Sequence, residues 1–494
     1  MCIRLAGCDW QVGKSDMKFI GRTTELAQIH AACKTGEASL IVVYGRRRVG
    51  KTTLIEKAFS ETRVLKFEGI EGKPEVYQIA QFATTLRKHF PTAKVQRATP
   101  MSWTEAFELL ADCVVKGKWT VYLEELQWMA NYRSDLISEL KPIWDNQLRK
   151  NPGLITVLCG SAPSFFLSQV IRSRSLHNRS KLDLRLDEFP IDQAAGFLGK
   201  PSVHALFDAY LTVGGIPLYL ERLASGPVYQ SLCEMSFRKD SFFTAEFEKV
   251  FVSSFGNNSV YRQIIELLGM RGQATREEIS KKVESKSGGT LTRMLIDLEE
   301  CGFIKRVVPL DKPQQSLLSF YQIRDPYLHF YFRFIQPRLS AIQNGDYQRY
   351  PQRALDTRTY RQWLGGSFER FCRGQTMRIA EKLGFSAVDF QAGTYFRRGT
   401  VDQPGAQVDL LYQRADKVFT VCEIKYQDAP VGVEAIEDVE KKIQSLPITP
   451  SRTLNRSRPV QKVLISSSGA SKGLIERAYF DRILSLEDLL DCSL

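Results

Sequence analysis

No uninterrupted apolar run in the 494 residues approaches the about 18 needed for a membrane-spanning helix, so no membrane span is expected. The N-terminal stretch lacks the long apolar core of a signal peptide. Ten cysteines are scattered without a C-x-x-C pair or a zinc-like spacing, which argues against a disulfide framework and a structural zinc site. Reduced thiols in a cytoplasmic protein are the expectation. Internal repeats and low-complexity segments are also missing, which excludes a solenoid array.

What is present is the composition of an ordinary globular protein, 43% hydrophobic and 25% charged. The length suits roughly two to four domains, each with its own core. The formal net charge of +13 is compatible with nucleic-acid binding through counterion release. Part of that charge sits in Arg46, Arg47, Arg48 and Lys51, where it would serve a nucleotide instead. Another part, Arg452, Arg456, Arg458 and Lys462, falls in a Ser/Pro-rich loop where solvation alone accounts for it.

The most informative stretch is Gly45-Arg46-Arg47-Arg48-Val49-Gly50-Lys51-Thr52-Thr53, directly after the apolar run Leu40–Tyr44. It fits the phosphate-loop pattern G-x-x-x-x-G-K-[ST] in its strand-before, helix-after setting. Its glycines let backbone N–H groups curl around a phosphate, Lys51 supplies a point charge, and Thr52 offers a hydroxyl to Mg²⁺. A helix expected over Thr53–Phe59 aims its N-terminal dipole at the anion. The apolar strand Thr120–Leu123 ends in Glu124-Glu125, an acid to hold Mg²⁺ and an acid to polarise water. Glu124 stands where Asp is usual. Leu154–Cys159 ends in Gly160-Ser161, a polar group beside the expected γ-phosphate, and Arg179 follows a polar loop, Ser173–Asn178, as a candidate cation for the phosphates of its own or a neighbouring subunit.

The alternation of apolar runs and helical patterns to about residue 190 predicts a parallel sheet with covering helices. Residues 190–250 read as helical, punctuated by Gly214-Gly215-Ile216-Pro217. Helical spacing over Val260–Leu268, a Thr275 cap on Arg276–Val283, and Thr290–Glu300 ended by Gly302 precede two strands, Phe303–Val308 and Ser319–Ile323. This is a winged helix-turn-helix pattern. Lys281, Lys282, Lys286 and Arg293 could meet DNA phosphates, but Asp297, Glu299 and Glu300 on the same helix would repel them.

After an aromatic-rich Asp325–Arg338, a helix Ser367–Leu383 and strands Ala406–Tyr412 and Val418–Tyr426 are expected. The turn Arg414–Lys417 separates those strands, and helix Val433–Leu446, strand Gln461–Ser466 and a C-terminal helix follow. Period-two alternation puts Glu423 and Lys425 on one face, with Asp409 across the turn. Two carboxylates with a lysine, and Glu369 on the preceding helix as a third acid, form a candidate second metal site.

Phe19–Leu26, the phosphate loop, Glu124-Glu125, Gly160-Ser161 and Gly215-Ile216-Pro217 together resemble the prokaryotic, mainly archaeal-type ATPases of the AAA+/STAND kind, over nearly the whole chain. The resemblance implies ATP and Mg²⁺ as cofactors. It puts Gly21 and Arg22 near the adenine, Pro217 of a helical lid against the base, and Ser161 as the first sensor. Arg179 falls where the family often has a Gly-Arg pair, here Asn178-Arg179. Gln407-Val408-Asp409 and Cys422-Glu423-Ile424-Lys425 resemble the two strand motifs of the PD-(D/E)xK nuclease-like fold.

The expected fold class is thus α/β: a phosphate-loop NTPase parallel sheet with a helical lid, a winged helix and a C-terminal α/β nuclease-like domain. Expected boundaries are 1–16 (extension), 17–190 (ATPase core), 191–256 (lid), 257–325 (winged helix), 326–360 (helical linker) and 361–494 (nuclease-like domain). The expected function is an ATPase whose nucleotide state switches the winged helix and tail. The alternatives are an ATP-gated, metal-dependent DNA nuclease and a non-hydrolysing nucleotide-bound scaffold. Nucleotide is the expected partner, with DNA and assembly into an oligomer as further candidates.

Overall fold

The computed structural model describes residues 19–34, 36–133, 135–172, 176, 178–256, 258–284, 288–308, 310, 319–397, 406–446 and 459–490. The expected N-terminal extension, Met17 and Lys18, much of the loop before Arg179, Lys286, and Arg452, Arg456 and Arg458 lie outside the described residues.

Five strands, β1 (Ser39–Gly45), β2 (Val64–Glu68), β3 (Trp119–Glu124), β4 (Leu154–Gly160) and β5 (Ser180–Leu186), form one sheet in the order β2-β3-β4-β1-β5. Every pairing in it is parallel, with Val43 opposite both Cys159 and Leu184. β1 is buried throughout, as a parallel strand covered on both faces must be. Its alternation sorts the side chains between two cores: Ile41 and Val43 face one, Leu40, Val42 and Tyr44 the other. Each such residue contributes roughly 1.5–3 kcal/mol of burial. The second core is closed by helices Glu75–His89, Trp103–Cys113 and Asp135–Asn146. The helix after β1 runs Lys51–Ala58, starting two residues earlier than expected, because Lys51 and Thr52 form its first turn behind Gly50.

On the other face lie helices Val203–Val213, Pro217–Leu223, Val228–Phe237 and Phe242–Phe255. Gly215 joins the first two at a point where a Cβ would lie 1.9 Å from the Phe189 carbonyl oxygen, so only glycine fits. Next come helices Ser259–Arg271, Arg276–Lys282 and Gly288–Glu300 with an antiparallel sheet of β6 (Gln273–Thr275), β7 (Ile304–Val307) and β8 (Phe320–Ile323), ordered β6-β8-β7. Thr275 and Glu278 close a reciprocal capping box on the second of these helices.

The aromatic stretch forms helix Pro326–Phe330 and a π-helical turn, Tyr331–Ile335. Tyr327 lies 5.5 Å from both Tyr219 and Phe243, and Tyr331 stacks on Phe247 at 4.8 Å, ring centre to ring centre. These rings join the sheet, the helical layer and the C-terminal part in one continuous core.

The C-terminal sheet, ordered β13-β12-β11-β10-β9, is mixed. β9 (Phe390–Arg397), β10 (Ala406–Arg414) and β11 (Phe419–Lys425) are antiparallel, while β12 (Val460–Ser466) and β13 (Arg482–Leu484) run parallel to β11. Two expectations need correction. The single helix Ser367–Leu383 is two helices, Thr357–Gly374 and Thr376–Leu383, broken where Gln375 leaves helical geometry after a glycine. The expected C-terminal helix is only Lys472–Glu476; Ala478 turns left-handed (φ 46°) and the chain continues into β13, burying Leu484.

Candidate functional site

β1 delivers its loop at the C-terminal edge of the parallel sheet, the end at which open α/β sheets bind ligands. Gly45 lies so close to β5 that a Cβ would sit 2.1 Å from the Leu186 carbonyl oxygen. Arg48 (φ 71°) and Gly50 (φ 91°) take left-handed conformations that curl the loop. Lys51 folds back inside it, donating to the carbonyls of Gly45 (2.9 Å) and Arg46 (3.0 Å).

β3 ends beside this loop. Thr52 Oγ1 donates to Glu124 Oε1 at 2.5 Å, the Tyr122 hydroxyl donates to the same oxygen at 2.7 Å, and Lys66 Nζ stands 2.5 Å from Oε2. Burial alone would raise the Glu124 carboxyl, but the hydrogen bonds from Lys66, Thr52 and Tyr122 hold it below its ordinary value. Burial pushes the Tyr122 phenol far up, so it remains a donor. Glu125, left-handed at φ 51°, accepts from Ser161 N (3.1 Å), Ser161 Oγ (2.7 Å) and Gln127 Nε2 (2.5 Å). Lys51, Thr52, Glu124, Glu125 and Ser161 are therefore brought together.

Sequence reasoning missed Lys66, Tyr122 and Gln127. Tyr122 was accessible to it, being two residues before Glu124 on the same strand face. Lys66 becomes visible only when β2 pairs with β3, Lys66 opposite Tyr122.

Arg22, left-handed and buried, donates to the carbonyls of Val49 (3.2 Å) and Asp187 (2.5 Å) and lies over the Phe189 ring at 3.9 Å. Gly21 packs where a Cβ would meet Gln193 and Phe189. Pro217 opens the helix Pro217–Leu223 and, with Arg47, Gly50, Lys51, Thr52 and Glu124, lines a cleft of about 340 Å³. Thr53 and Glu125 line it too.

The loop arginines also reach the helical layers, Arg47 and Arg48 from the wall of this cleft. Arg46 ion-pairs with Asp325 and lies 5.3 Å from the Phe303 ring centre. Arg47 donates to the Lys249 carbonyl at 3.4 Å. Arg48 Nη1 stands 2.7 Å from Glu246 Oε2, an ion contact off the hydrogen-bond line, and lies over Phe242 at 4.8 Å. Glu246 is wholly buried and accepts from the Tyr219 hydroxyl at 2.7 Å. Burial raises its carboxyl, against the pull of Tyr219, Arg48, Arg46 and Arg47.

The structure does not bring Arg179 to the loop. It precedes β5 at the edge where β1 begins, opposite the phosphate loop, and holds Asp145 through Nε at 2.8 Å and Nη2 at 2.7 Å.

In the C-terminal sheet the β10–β11 register brings Asp409 and Glu423 together as cross-strand neighbours. Lys442, which sequence reasoning missed, reaches in from helix Ala435–Gln444 and stands 2.6 Å from Glu423 Oε2 and 3.2 Å from Asp409 Oδ2. Lys425 Nζ lies 2.8 Å from Glu423 Oε1. Glu369 turns to Arg373 at 3.5 Å. Among the described residues no group of three or more acids, histidines or cysteines converges as metal ligands. Of the expected second metal site, Asp409, Glu423 and Lys425 lie together with Lys442 between the two carboxylates, and Glu369 stands within electrostatic reach of Asp409 and Lys442. Burial raises the Asp409 carboxyl, opposed by Lys442 and reinforced by Glu423.

The sheet order, the curled loop with Lys51 at its centre and the acids at the end of β3 define a phosphate-loop NTPase fold. Residues 19–223 match the family model of an ATPase domain predominantly from Archaea. Residues 331–442 match a second model, of archaeal and bacterial proteins of unknown function.

An uncharacterized protein of Methanocaldococcus jannaschii is 27% identical over 414 residues, 83% of this chain and 88% of its own length. An uncharacterized ATP-binding protein of the same organism is 46% identical over 48 residues, 10% of this chain and 80% of its own. Among solved structures, a Walker-type ATPase of Pyrococcus abyssi is similar at 18% identity and a TM-score of 0.45, covering 64% of this chain and 96% of that one. The ORC2 protein of Aeropyrum pernix, solved as ADPNP and ADP complexes, is similar at 14% identity and 0.45, covering 67% and 97%.

Proposed function

We propose that the chain is a cytoplasmic ATP-driven switch of the AAA+/STAND kind, built from an ATPase core (17–190), a lid (191–256), a winged helix (257–325), a linker (326–360) and a nuclease-like tail (361–494). The observation that carries this reading is that the loop expected to hold phosphates also holds the lid and the residues after β8, through Arg48–Glu246 and Arg46–Asp325. Incoming phosphates compete with both carboxylates for those guanidiniums. ATP arrival thereby loosens one set of contacts while making another.

In the chemical step Lys51 exchanges the carbonyls of Gly45 and Arg46 for phosphate oxygens. The Thr52 hydroxyl and the Glu124 carboxylate, oxygen ligands 2.5 Å apart, would hold Mg²⁺. That ion supplies charge neutralisation of the phosphates. Glu125, held by Ser161 and Gln127, orients the attacking water. Arg22 and Pro217 fit the base side of the cleft.

The winged helix acts as a lid on this reading. Asp297 accepts from Tyr261 (2.5 Å), Glu299 from the Arg306 N–H (2.7 Å), and Glu300 pairs with Arg172 (3.2 Å), so its acids are spent on the protein itself. Calorimetric ATP binding with Lys51→Ala tests the proposal. The binding event of the phosphate-loop cleft should be lost from the Lys51→Ala isotherm; an isotherm unchanged from that of the parent sinks the reading.

An ATP-gated nuclease is the second reading, favoured by the Asp409–Glu423 pair beside Lys425. It requires Lys442 to withdraw so that the two carboxylates can take a divalent ion. Mn²⁺-dependent DNA cleavage lost in Asp409→Ala supports it, and absence of cleavage with nucleotide present counts against it.

A further inference from the structure

A second cavity, about 450 Å³, opens where β7 and β8, helix Val203–Val213 and helix Thr357–Gly374 meet, sharing no lining residue with the cleft of Lys51 and Pro217. Its charged lining is Lys305, Arg324, Arg370 and Arg373 against the single acid Glu188. Glu188 is already engaged, accepting from the Gly215 N–H at 3.1 Å. Among the described residues neither Lys305 nor Arg324 has an acid within ion-pair distance. Arg370 donates to the neutral Ser367 hydroxyl at 2.6 Å and lies 5.9 Å from the Trp363 ring centre, with no acid within ion-pair distance among the described residues and Glu369 as its nearest favourable charge. Arg373 alone meets an acid, Glu369, at 3.5 Å.

Like charges gathered in a partly enclosed site repel strongly. Burial, with Arg373, Arg370 and Arg324 beside it, pushes the Lys305 amine down to about 8. His329 adds no charge, since burial and Arg370 push it down to about 3, and its Nε2 lies 2.8 Å from the Ile323 carbonyl. A fold does not assemble such a group for its own stability; a bound polyanion offsets the repulsion. The remaining wall is apolar and aromatic, with Tyr210 and Phe371 edge to face at 5.9 Å. The volume is that of a small-molecule pocket and excludes a duplex.

We infer that this cavity binds a small oligophosphate anion, free or as the phosphate chain of a nucleotide, at a site separate from the phosphate-loop cleft. Arg324 and Pro326 of the cavity flank Asp325, the partner of Arg46. A ligand drawing on Arg324 therefore acts on the turn that holds the phosphate loop.

The test is calorimetric titration of the full chain carrying Lys51→Ala with tripolyphosphate, ATP and AMP, beside the same protein carrying Lys305→Gln and Arg370→Gln in addition. Tripolyphosphate or ATP should bind the first protein and raise its melting temperature, and affinity should fall by at least about tenfold in the second. Without ligand, the second protein should melt at the same or a higher temperature, because the repulsion is relieved. ATP binding more tightly than tripolyphosphate assigns Tyr210 and Phe371 to the base; equal affinities assign recognition to phosphate alone. Absence of oligophosphate binding, undiminished binding after the two added substitutions, or binding of duplex DNA only overturns the inference. If Lys51→Ala does not fold, the stoichiometry of the otherwise unaltered chain decides: two oligophosphates per chain, falling to one with Lys305→Gln and Arg370→Gln.

Discussion

Arg48 leaves the phosphate loop in a left-handed conformation and comes within 2.7 Å of Glu246, a carboxylate with no solvent exposure. The contact ties the least regular turn of the sheet edge to the middle of helix Phe242–Phe255.

Arg48→Ala leaves Glu246 buried with only the Tyr219 hydroxyl, and should cost about 3–5 kcal/mol at neutral pH. Because burial raises the Glu246 pKa above its unfolded value, the native state holds the extra proton more readily. Stability then falls as pH rises through that pKa and recovers as pH drops. Thermal melts of Arg48→Ala from pH 7.5 down to 5 should close much of the gap to the parent protein. A gap that widens on acidification contradicts this.

Lys66→Met removes one of the hydrogen bonds that hold Glu124 below its ordinary pKa. The acid limb of the ATP-turnover profile should move to higher pH, while nucleotide affinity at pH 8 stays within about threefold. Steady-state turnover across pH reads this directly.

Lys442→Ala strips the cation from between Asp409 and Glu423. Two buried carboxylates then repel, and the variant should melt lower at neutral pH than at pH 5, since Asp409 already has a raised pKa. Mn²⁺ should raise the melting temperature of Lys442→Ala and leave the parent unmoved. Equal shifts in both proteins would remove lysine as the occupant that competes with a metal.

Gly215→Ala places a methyl group 1.9 Å from the Phe189 carbonyl oxygen, with backbone on both sides. The strain should lower the melting temperature and, through Phe189 and Arg22, weaken nucleotide binding. A variant of undiminished stability would mean that the turn can shift.

Much of the nucleotide site was legible because its signals are local. Gly45 to Thr53 sit between an apolar run and a helix, and Glu124-Glu125 end a strand. The partners of Arg46 and Arg48 were not legible: Asp325 and Glu246 meet the loop only after helices with no sequence proximity have docked. Lys66 needed the β2–β3 pairing, and Lys442 needed a helix to lie over β10 and β11. That Arg179 lies far from its own phosphate loop was not legible, because a lone arginine carries no positional signal; its order along the chain put it near β5 without saying at which end. The break at Gln375 and the late strand β13 depend on tertiary burial that outweighs local helix preference.

The aromatic contacts of Tyr327 and Tyr331 with Tyr219, Phe243 and Phe247 carry a thermodynamic consequence. Because one core runs from β1 to the C-terminal sheet, heating should melt ATPase core and tail in a single cooperative transition. Whatever ligand stabilises either end then raises the melting point of the whole chain by mass action.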